Sequence, residues 1–116
     1  MELESLRDLI VAALEELKGV NVQALDVRGR CSFTDLMIFA SGTSDRHVKS
    51  LAANVEDKVR AAGVRPLGVE GDDQAQANWV LLDLGEAVVH VMLAETREYY
   101  QLERLWAMGG EHARNV

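Results

Sequence analysis

The sequence predicts an α/β domain in which a mixed five-stranded sheet packs with three helices. Three observations lead to this prediction. Apolar residues recur at three- and four-residue steps in three segments, a spacing typical of amphipathic helices. Short apolar runs lie between these segments and favour strands. Their order along the 116 residues is helix, strand, strand, helix, strand, strand, strand, helix, which one α/β domain accommodates around a single core.

A helix and two strands are predicted first. Residues 3–17 have the apolar spacing of an amphipathic helix, which ends before Gly19. A short strand follows over residues 22–27. After a turn, residues 33–40 are predicted as a second strand, almost entirely apolar, which is typical of the middle of a sheet. A buried carboxylate at Asp35 in this strand would need a partner, and we expect a structural ion pair.

Two more helices and three strands are predicted in the remainder. The second and third strands, with the helix between them, can form a right-handed crossover, and the first two and last two strands are expected to be antiparallel hairpins. Gly85 suits the first position of a type II′ turn in the last hairpin. The predicted ranges are a helix over residues 48–62, strands over 66–70, 78–84 and 87–93, and a helix over 95–107.

The composition indicates one ordinary globular domain, expected over residues 1–108 and followed by a polar tail over 109–116. Acidic residues interrupt the leucines of the N-terminal segment, which excludes a signal peptide, and no apolar run is long enough to span a membrane. The lone Cys31 excludes an internal disulfide. We therefore expect a cytoplasmic protein.

The formal net charge of −7, from 19 acidic and 12 basic residues, indicates which partners the protein can bind. Gripping nucleic acid by its phosphates requires a positive field, and the basic residues here are scattered along the chain. Extensive contact with RNA or DNA is therefore disfavoured. A basic protein partner fits the charge, since complementary fields speed encounter.

The last hairpin is the most informative stretch, because both of its faces are apolar. Side chains on a strand alternate between faces, so each strand contributes to two separate surfaces. One surface is expected to hold the sheet to its helices and comprises Val80, Leu82, Val89 and Val91. The other is left for a partner and comprises Trp79, Leu81, His90 and Met92. The sequence leaves open whether the last helix, a partner protein or a second copy of this chain covers this second surface.

The turn over residues 41–47 is the strongest candidate for an active site, and two interpretations of it stay open. Backbone N–H groups at a helix start, with hydroxyls and Arg46 nearby, could hold a phosphate in a nucleotidyltransferase-like enzyme. The alternative, which we favour, is that Thr43 or Ser44 caps the helix. Nucleotidyl transfer also needs two acidic residues alternating on the following strand to hold Mg²⁺, and they are missing there.

No catalytic, metal-binding or cofactor-binding residue is predicted. The three histidines and the one cysteine lack the spacing of metal ligands. His47 is expected to be a solvated side chain in the first helical turn. His90 is expected to be packed or at an interface, because no nucleophile motif accompanies it. The adjacent Tyr99 and Tyr100 cannot both face inward on a helix, so one should be exposed.

Taken together, these segments resemble the ribosomal silencing factor (RsfS or Iojap) family. The similarity runs from the first helix to Trp106, and its motifs are specific jointly rather than singly. The motifs are Leu25-Asp26-Val27-Arg28, Thr34-Asp35, Gly42-Thr43-Ser44-Asp45-Arg46-His47-Val48, Gly68-Val69-Glu70-Gly71, Trp79-Val80-Leu81-Leu82-Asp83-Leu84-Gly85, Val89-His90-Val91-Met92, Arg97, Tyr100 and Leu102-Glu103-Arg104-Leu105-Trp106.

The resemblance implies a translation repressor rather than an enzyme, with a nucleotidyltransferase-like topology that lacks the catalytic acids. Such a protein binds the large ribosomal subunit through ribosomal protein L-fourteen, near the surface where the small subunit docks, and blocks subunit joining when nutrients are short. It implies inhibition without chemistry and therefore no cofactor, while the charge and composition predict little direct contact with nucleic acid and none with membrane. The residues predicted to bind the partner are Glu70, Trp79, His90, Met92 and Tyr100 from matching motifs, with Leu81 and Asp72 added from strand periodicity.

Overall fold

The computed structural model describes residues 1–72 and 77–101, and the elements in these residues follow the predicted order. They are α1 (Leu3–Glu16), β1 (Val20–Asp26), β2 (Leu36–Gly42), α2 (Asp45–Ala61), β3 (Gly68–Glu70), β4 (Trp79–Asp83), β5 (Ala87–Leu93) and α3 (Ala94–Tyr100). The α/β class, with a mixed five-stranded sheet and three helices, is confirmed. The end of the predicted last helix and the tail over 109–116 lie outside the described residues.

The strands form one sheet in the order β1-β2-β5-β4-β3. β1 pairs antiparallel with β2, and β4 pairs antiparallel with β5, so both predicted hairpins are confirmed. β2 and β5 lie side by side and parallel at the centre, and β3 pairs antiparallel with β4 at the edge. The connection from β2 through α2 to β3 therefore passes over two strands rather than joining neighbours.

α1 and α2 pack on one face of the sheet and bury it. Their inward residues recur at helical spacing, and Ile10, Leu14, Leu51 and Val55 are fully buried. The strand residues in the same cluster, all fully buried as predicted, include Val80, Leu82, Val89 and Val91. Full burial of one such side chain contributes about 1.5–3 kcal/mol, so this face is the main source of stability.

The second face of the sheet carries a smaller apolar cluster. Its buried members are Val27, Met37, Phe39 and Met92. Trp79 packs partly against them. α3 lies at one end of this face, where the buried Arg97 donates to Ser41 Oγ at 3.1 Å and to the Val20 carbonyl oxygen at 3.4 Å. These hydrogen bonds fasten α3 to the ends of β1 and β2.

β2 begins at Leu36, later than the apolar run predicts. Phe33 lies in the preceding loop and is 63% exposed. Asp35 is exposed as well, so the expected buried ion pair is wrong. The reason is that Asp35 joins the end of the sheet by its backbone alone. Its N–H donates to the Glu86 carbonyl oxygen at 3.1 Å, and its carbonyl oxygen accepts from the Val27 N–H at 3.0 Å.

The turn between β4 and β5 requires glycine, although it differs from the predicted type II′ turn. Gly85 has a φ of +85°, a conformation that residues with a Cβ rarely adopt. The Glu86 N–H donates to the Leu84 carbonyl oxygen at 3.1 Å, which closes a three-residue γ-turn. The Gly85 N–H donates to Asp83 Oδ1 at 2.9 Å. A positive φ at Gly85 was therefore correctly predicted, and the hydrogen-bond pattern was not.

Candidate functional site

Cross-strand pairing places five of the seven predicted partner-binding residues on the second face of the sheet: Glu70, Trp79, Leu81, His90 and Met92. In one row, Phe39 of β2 pairs with His90 of β5, and His90 pairs with Leu81 of β4. Leu81 pairs in turn with Glu70 of β3. The row runs from a fully buried phenylalanine to an exposed glutamate. Side-chain exposure on this face therefore increases across four strands, from β2 to β3.

Two of the predicted residues are covered rather than accessible. Met92 is fully buried and His90 is 6% exposed, so neither presents a contact surface to a partner. Both lie on the predicted face. Met92, however, packs into the cluster that contains Met37 and Phe39, and His90 lies between Phe39 and Trp79. The expectation that they touch a partner directly is corrected for this reason.

The other five predicted residues are accessible. Trp79 and Leu81 are half-buried, Glu70 and Asp72 are exposed, and Tyr100 of α3 is 52% exposed. Asp72, however, lines a separate hollow beside α2, with Lys49 and Glu56. We call the other four residues, Glu70, Trp79, Leu81 and Tyr100, the docking surface. An apolar centre beside an exposed carboxylate has the composition of a protein interface, in which aromatic anchors lie inside a polar rim.

Trp79 occupies the centre of the docking surface and touches aromatic rings on two sides. Its indole N–H donates to His90 Nδ1 at 3.1 Å, and the two ring centroids lie 5.9 Å apart. The Tyr100 ring centroid lies 5.0 Å from that of the indole, and Tyr99 packs edge-on against Tyr100. Tyr99 is 81% exposed. The expectation of one exposed tyrosine is met, although both rings are accessible.

His90 supports Trp79 from below. Its ring stacks on Phe39 with a centroid distance of 4.8 Å and an interplanar angle of 8°. Burial lowers the pKa of His90 to about 4, so the imidazole is neutral at pH 7. Because Nδ1 accepts the indole proton, the imidazole proton belongs on Nε2. The sequence did not predict that Phe39 stacks on His90, because it does not show that β2 and β5 are neighbouring strands.

A shallow open groove of about 390 Å³ runs along the docking surface, lined by Glu70, Gly71, Trp79 and Leu81. Gly71 has a φ of +91°, and a Cβ there would overlap the Trp79 carbonyl oxygen. Only glycine lets the chain leave β3 so close to β4. The sequence prediction left Gly71 between the strands over 66–70 and 78–84, and its position directly after a short strand was the one available signal.

The Glu70 carboxylate of the docking surface forms no ion pair with the described residues, whereas Asp26 pairs with Arg28 and Glu56 pairs with Arg60. A free carboxylate beside an apolar groove favours a partner that brings positive charge. The local charge has the same sign as the net charge of −7.

The Gly-Thr-Ser turn is a structural cap. Ser44 Oγ accepts the His47 N–H at 3.1 Å, which confirms the predicted N-cap. The Thr43 N–H donates to His47 Nδ1 at 2.9 Å, and His47 Nε2 reaches the Leu17 carbonyl oxygen at 2.8 Å. His47 is therefore not the solvated side chain that was expected, since it ties the end of α1 to the start of α2. Two N–H groups that could hold a phosphate already have partners.

The described residues show neither a metal-ligand cluster nor a membrane-spanning helix. In residues 1–72 and 77–101, no group of three or more His, Cys, Asp or Glu side chains could hold a metal ion. In the same ranges no helix is long and apolar enough to cross a membrane.

Fold and site together define a class: a small α/β domain with an aromatic and acidic docking surface on one face of its sheet. The family model described as "Ribosomal silencing factor during starvation" matches residues 1–116. The chain belongs to the ribosomal silencing factor family.

Three similar proteins illustrate this membership. Ribosomal silencing factor RsfS of Haemophilus influenzae is 43% identical over 103 residues, which is 89% of this chain and 99% of that protein. The crystal structure of a Chromobacterium violaceum protein superposes with a TM-score of 0.88 at 43% identity, covering 92% of this chain and 88% of that one. A mouse protein named for mitochondrial assembly of the ribosomal large subunit is 31% identical over 104 residues, covering 87% of this chain and 45% of its own length.

Proposed function

We propose that this protein represses translation by binding the large ribosomal subunit through ribosomal protein L-fourteen, which blocks joining of the small subunit and reduces protein synthesis under nutrient limitation. The observation that carries the proposal is the docking surface, with Trp79 at its centre and the unpaired carboxylate of Glu70 at its edge. Membership of the ribosomal silencing factor family and the name of the mouse relative support a large-subunit partner.

The chemistry of the surface fits a basic ribosomal protein better than ribosomal RNA. The net charge of −7 opposes binding to phosphates and attracts a cationic partner. Glu70 lines the groove, where lysine or arginine side chains can reach its carboxylate. Trp79 and Leu81 supply the apolar area whose burial stabilises the complex.

Repression by this route requires occupancy and no bond chemistry. A bound protein excludes the small subunit when the two occupy overlapping space on the large subunit. The effect then depends on affinity and concentration, so residues of the docking surface should change repression in proportion to binding. No cofactor is needed for this mechanism.

The test is co-sedimentation with separated large subunits and with intact ribosomes, using the parent protein and Trp79→Ala. We expect the parent to prefer separated large subunits and Trp79→Ala to bind roughly thirtyfold more weakly, because an aromatic anchor contributes about 2 kcal/mol or more. Phe33→Ala is the matched control, since it removes an aromatic ring that is exposed outside the docking surface. Equal binding by Trp79→Ala and the parent would show that the docking surface lies elsewhere.

Charge reversal tests the acidic rim. Glu70→Lys should weaken binding and reduce its salt dependence, whereas Glu15→Lys, an exposed change on α1, should leave both unchanged. A failure of the parent protein itself to bind large subunits would contradict the proposed function as a whole.

Two alternative hypotheses, a homodimer and a nucleotide-handling enzyme, can be tested directly. If the docking surface is covered by a second copy of this chain off the ribosome, sedimentation velocity should show a dimer that Trp79→Ala dissociates. If the Gly42–Ser44 turn serves a phosphate- or nucleotide-handling enzyme, calorimetric titration with nucleotides and Mg²⁺ should show tight, metal-dependent binding. We expect no such heat, because the N–H groups of Thr43 and His47 have partners within the turn.

A further inference from the structure

We infer that His90 is a positioning residue: its Nδ1 atom holds the indole of Trp79 in the orientation that a partner recognises, without touching the partner itself. The inference rests on the proposed function, in which Trp79 is the anchor of the docking surface. It replaces the expectation that His90 is a contact residue.

The sheet geometry makes His90 the neighbour that can reach the indole. Trp79 pairs directly with Met92, and His90 pairs with Leu81, so Trp79 and His90 are diagonal neighbours on one face. Diagonal pairs lie within reach of aromatic side chains. The indole N–H and His90 Nδ1 are 3.1 Å apart across this diagonal.

The imidazole is itself fixed, so it can fix its neighbour. It is 6% exposed and stacked nearly parallel on Phe39, which is fully buried in the centre of the sheet. The other ring in contact with the indole, that of Tyr100 in α3, is half exposed. The more constrained of the two contacts of Trp79 is therefore the one with His90.

Because of the internal hydrogen bond to His90, the partner does not have to supply an acceptor for the Trp79 indole N–H. An indole N–H that enters an interface without an acceptor loses its hydrogen bond to water, which weakens binding. Here the donor is already satisfied inside the protein, so the partner needs to offer only apolar surface or cationic side chains to the indole face. That requirement agrees with a basic partner whose long side chains cover Trp79.

Two substitutions separate positioning from simple packing. His90→Phe keeps a ring that can stack on Phe39 and removes the acceptor. His90→Asn removes the ring and keeps an amide oxygen at the place of Nδ1. If His90 positions Trp79, His90→Phe should weaken binding to large subunits about tenfold and His90→Asn should stay within about threefold of the parent. If His90 merely packs, the order should reverse.

The indole proton gives a readout that needs no ribosome. In a ¹H–¹⁵N spectrum, the Trp79 indole signal is assigned by its loss in Trp79→Phe. We expect this proton to exchange slowly in the parent protein and in His90→Asn, and to exchange faster and shift upfield in His90→Phe. Thermal unfolding confirms that each variant is folded before binding is compared.

Three results would overturn the inference. They are unchanged indole exchange in His90→Phe, binding by His90→Phe within twofold of the parent, and binding by His90→Asn as weak as that of His90→Phe. If a variant fails to fold, the parent protein alone still tests the inference. The ¹⁵N shifts of the His90 imidazole at pH 7 must then show that its proton is on Nε2, because Nδ1 has to accept the indole proton. A proton on Nδ1 overturns the inference.

The test also separates this inference from the proposed function. If the indole readouts come out as expected but Trp79→Ala binds large subunits like the parent, the proposed surface is wrong and the hydrogen bond serves only the fold. If Trp79→Ala abolishes binding and His90→Phe changes nothing, the proposed function stands and the positioning role is wrong.

Discussion

The two faces of the sheet share the same strands and differ in how they are covered. On the face beneath α1 and α2, aliphatic side chains such as Leu82 and Val89 are completely buried. On the second face, Trp79 and Leu81 of the same hairpin stay half-buried beside the exposed Glu70. The first face supplies most of the stability, whereas the second leaves aromatic and apolar side chains accessible. We therefore expect substitutions at neighbouring positions on β4 to differ in effect, one acting on stability and the next on binding.

The largest loss of stability is expected from truncating a side chain on the face that α1 and α2 cover. Leu82→Ala removes a fully buried side chain and should lower the free energy of unfolding by about 3 kcal/mol, within the usual 2–5 kcal/mol for such truncations. Leu81→Ala, one residue away on the second face, should cost less than about 1 kcal/mol and weaken large-subunit binding instead. Urea denaturation of both variants measures the contrast, and equal losses would contradict the division between faces.

Acidification should act on the second face through His90. Its pKa falls from 6.5 in the unfolded chain to about 4 in the folded protein because burial disfavours the charged ring. Between these pH values the unfolded chain binds a proton that the folded protein does not, so stability falls as the pH falls from 6.5 towards 4. The full loss is roughly 3 kcal/mol, and above pH 6.5 His90 contributes no pH dependence.

The control for this prediction is His90→Phe, which should lose this part of the pH dependence when unfolding is measured across the same range. Asp26 does not interfere, because its hydrogen bonds from Arg28 lower its pKa to about 2. Its contribution is lost only below its unfolded value of 3.8. A parent protein as stable at pH 4.5 as at pH 7 would contradict the burial of a neutral imidazole.

A smaller effect on the free energy of unfolding is expected at Gly71, directly after β3. Gly71→Ala should cost about 2 kcal/mol or more, because it combines a positive φ with overlap against the Trp79 carbonyl oxygen. Gly63→Ala shares the positive φ of +89° but meets no atom, so it should cost only about 1 kcal/mol. The difference between the two variants in urea denaturation measures the crowding at Trp79. Equal costs would show that the loop moves away freely.

The smallest effect is expected outside both faces. Ser44→Ala removes the cap of α2 and should lower the free energy of unfolding by about 1 kcal/mol, while large-subunit binding stays unchanged. Thermal unfolding and co-sedimentation of this variant report the two quantities separately. If Ser44→Ala were as stable as the parent but bound large subunits more weakly, the binding site would be at the Gly-Thr-Ser turn and not on the second face.

The parts of the fold that repeat locally could be predicted from the sequence. The alternation of Val80 and Leu82 with Trp79 and Leu81 set the two faces correctly, because strand periodicity is a local property. Ser44 was recognisable as a cap for the same reason. The start of β2 was misplaced at Phe33, since an apolar run does not show where pairing begins.

The parts that depend on sheet order could not be predicted. His90 and Met92 are covered by side chains of β2, which is far from β5 in the chain and adjacent to it only in the folded sheet. The contact of Gly71 with Trp79 likewise joins two strands across a loop. Five of the seven predicted partner-binding residues are accessible, and the two that are not fail for this one reason.

The central position of β5 has a consequence for the order of events during synthesis. Residues 87–93 must insert between β2 and β4, so the sheet cannot close until the last of its strands has left the ribosome that makes it. Pairing of β2 with β5 closes a long loop, which places it late in folding. Until that pairing forms, Phe39 does not support the His90 ring beneath Trp79, so under the proposed function a partly synthesised chain lacks the finished surface that would bind a ribosome.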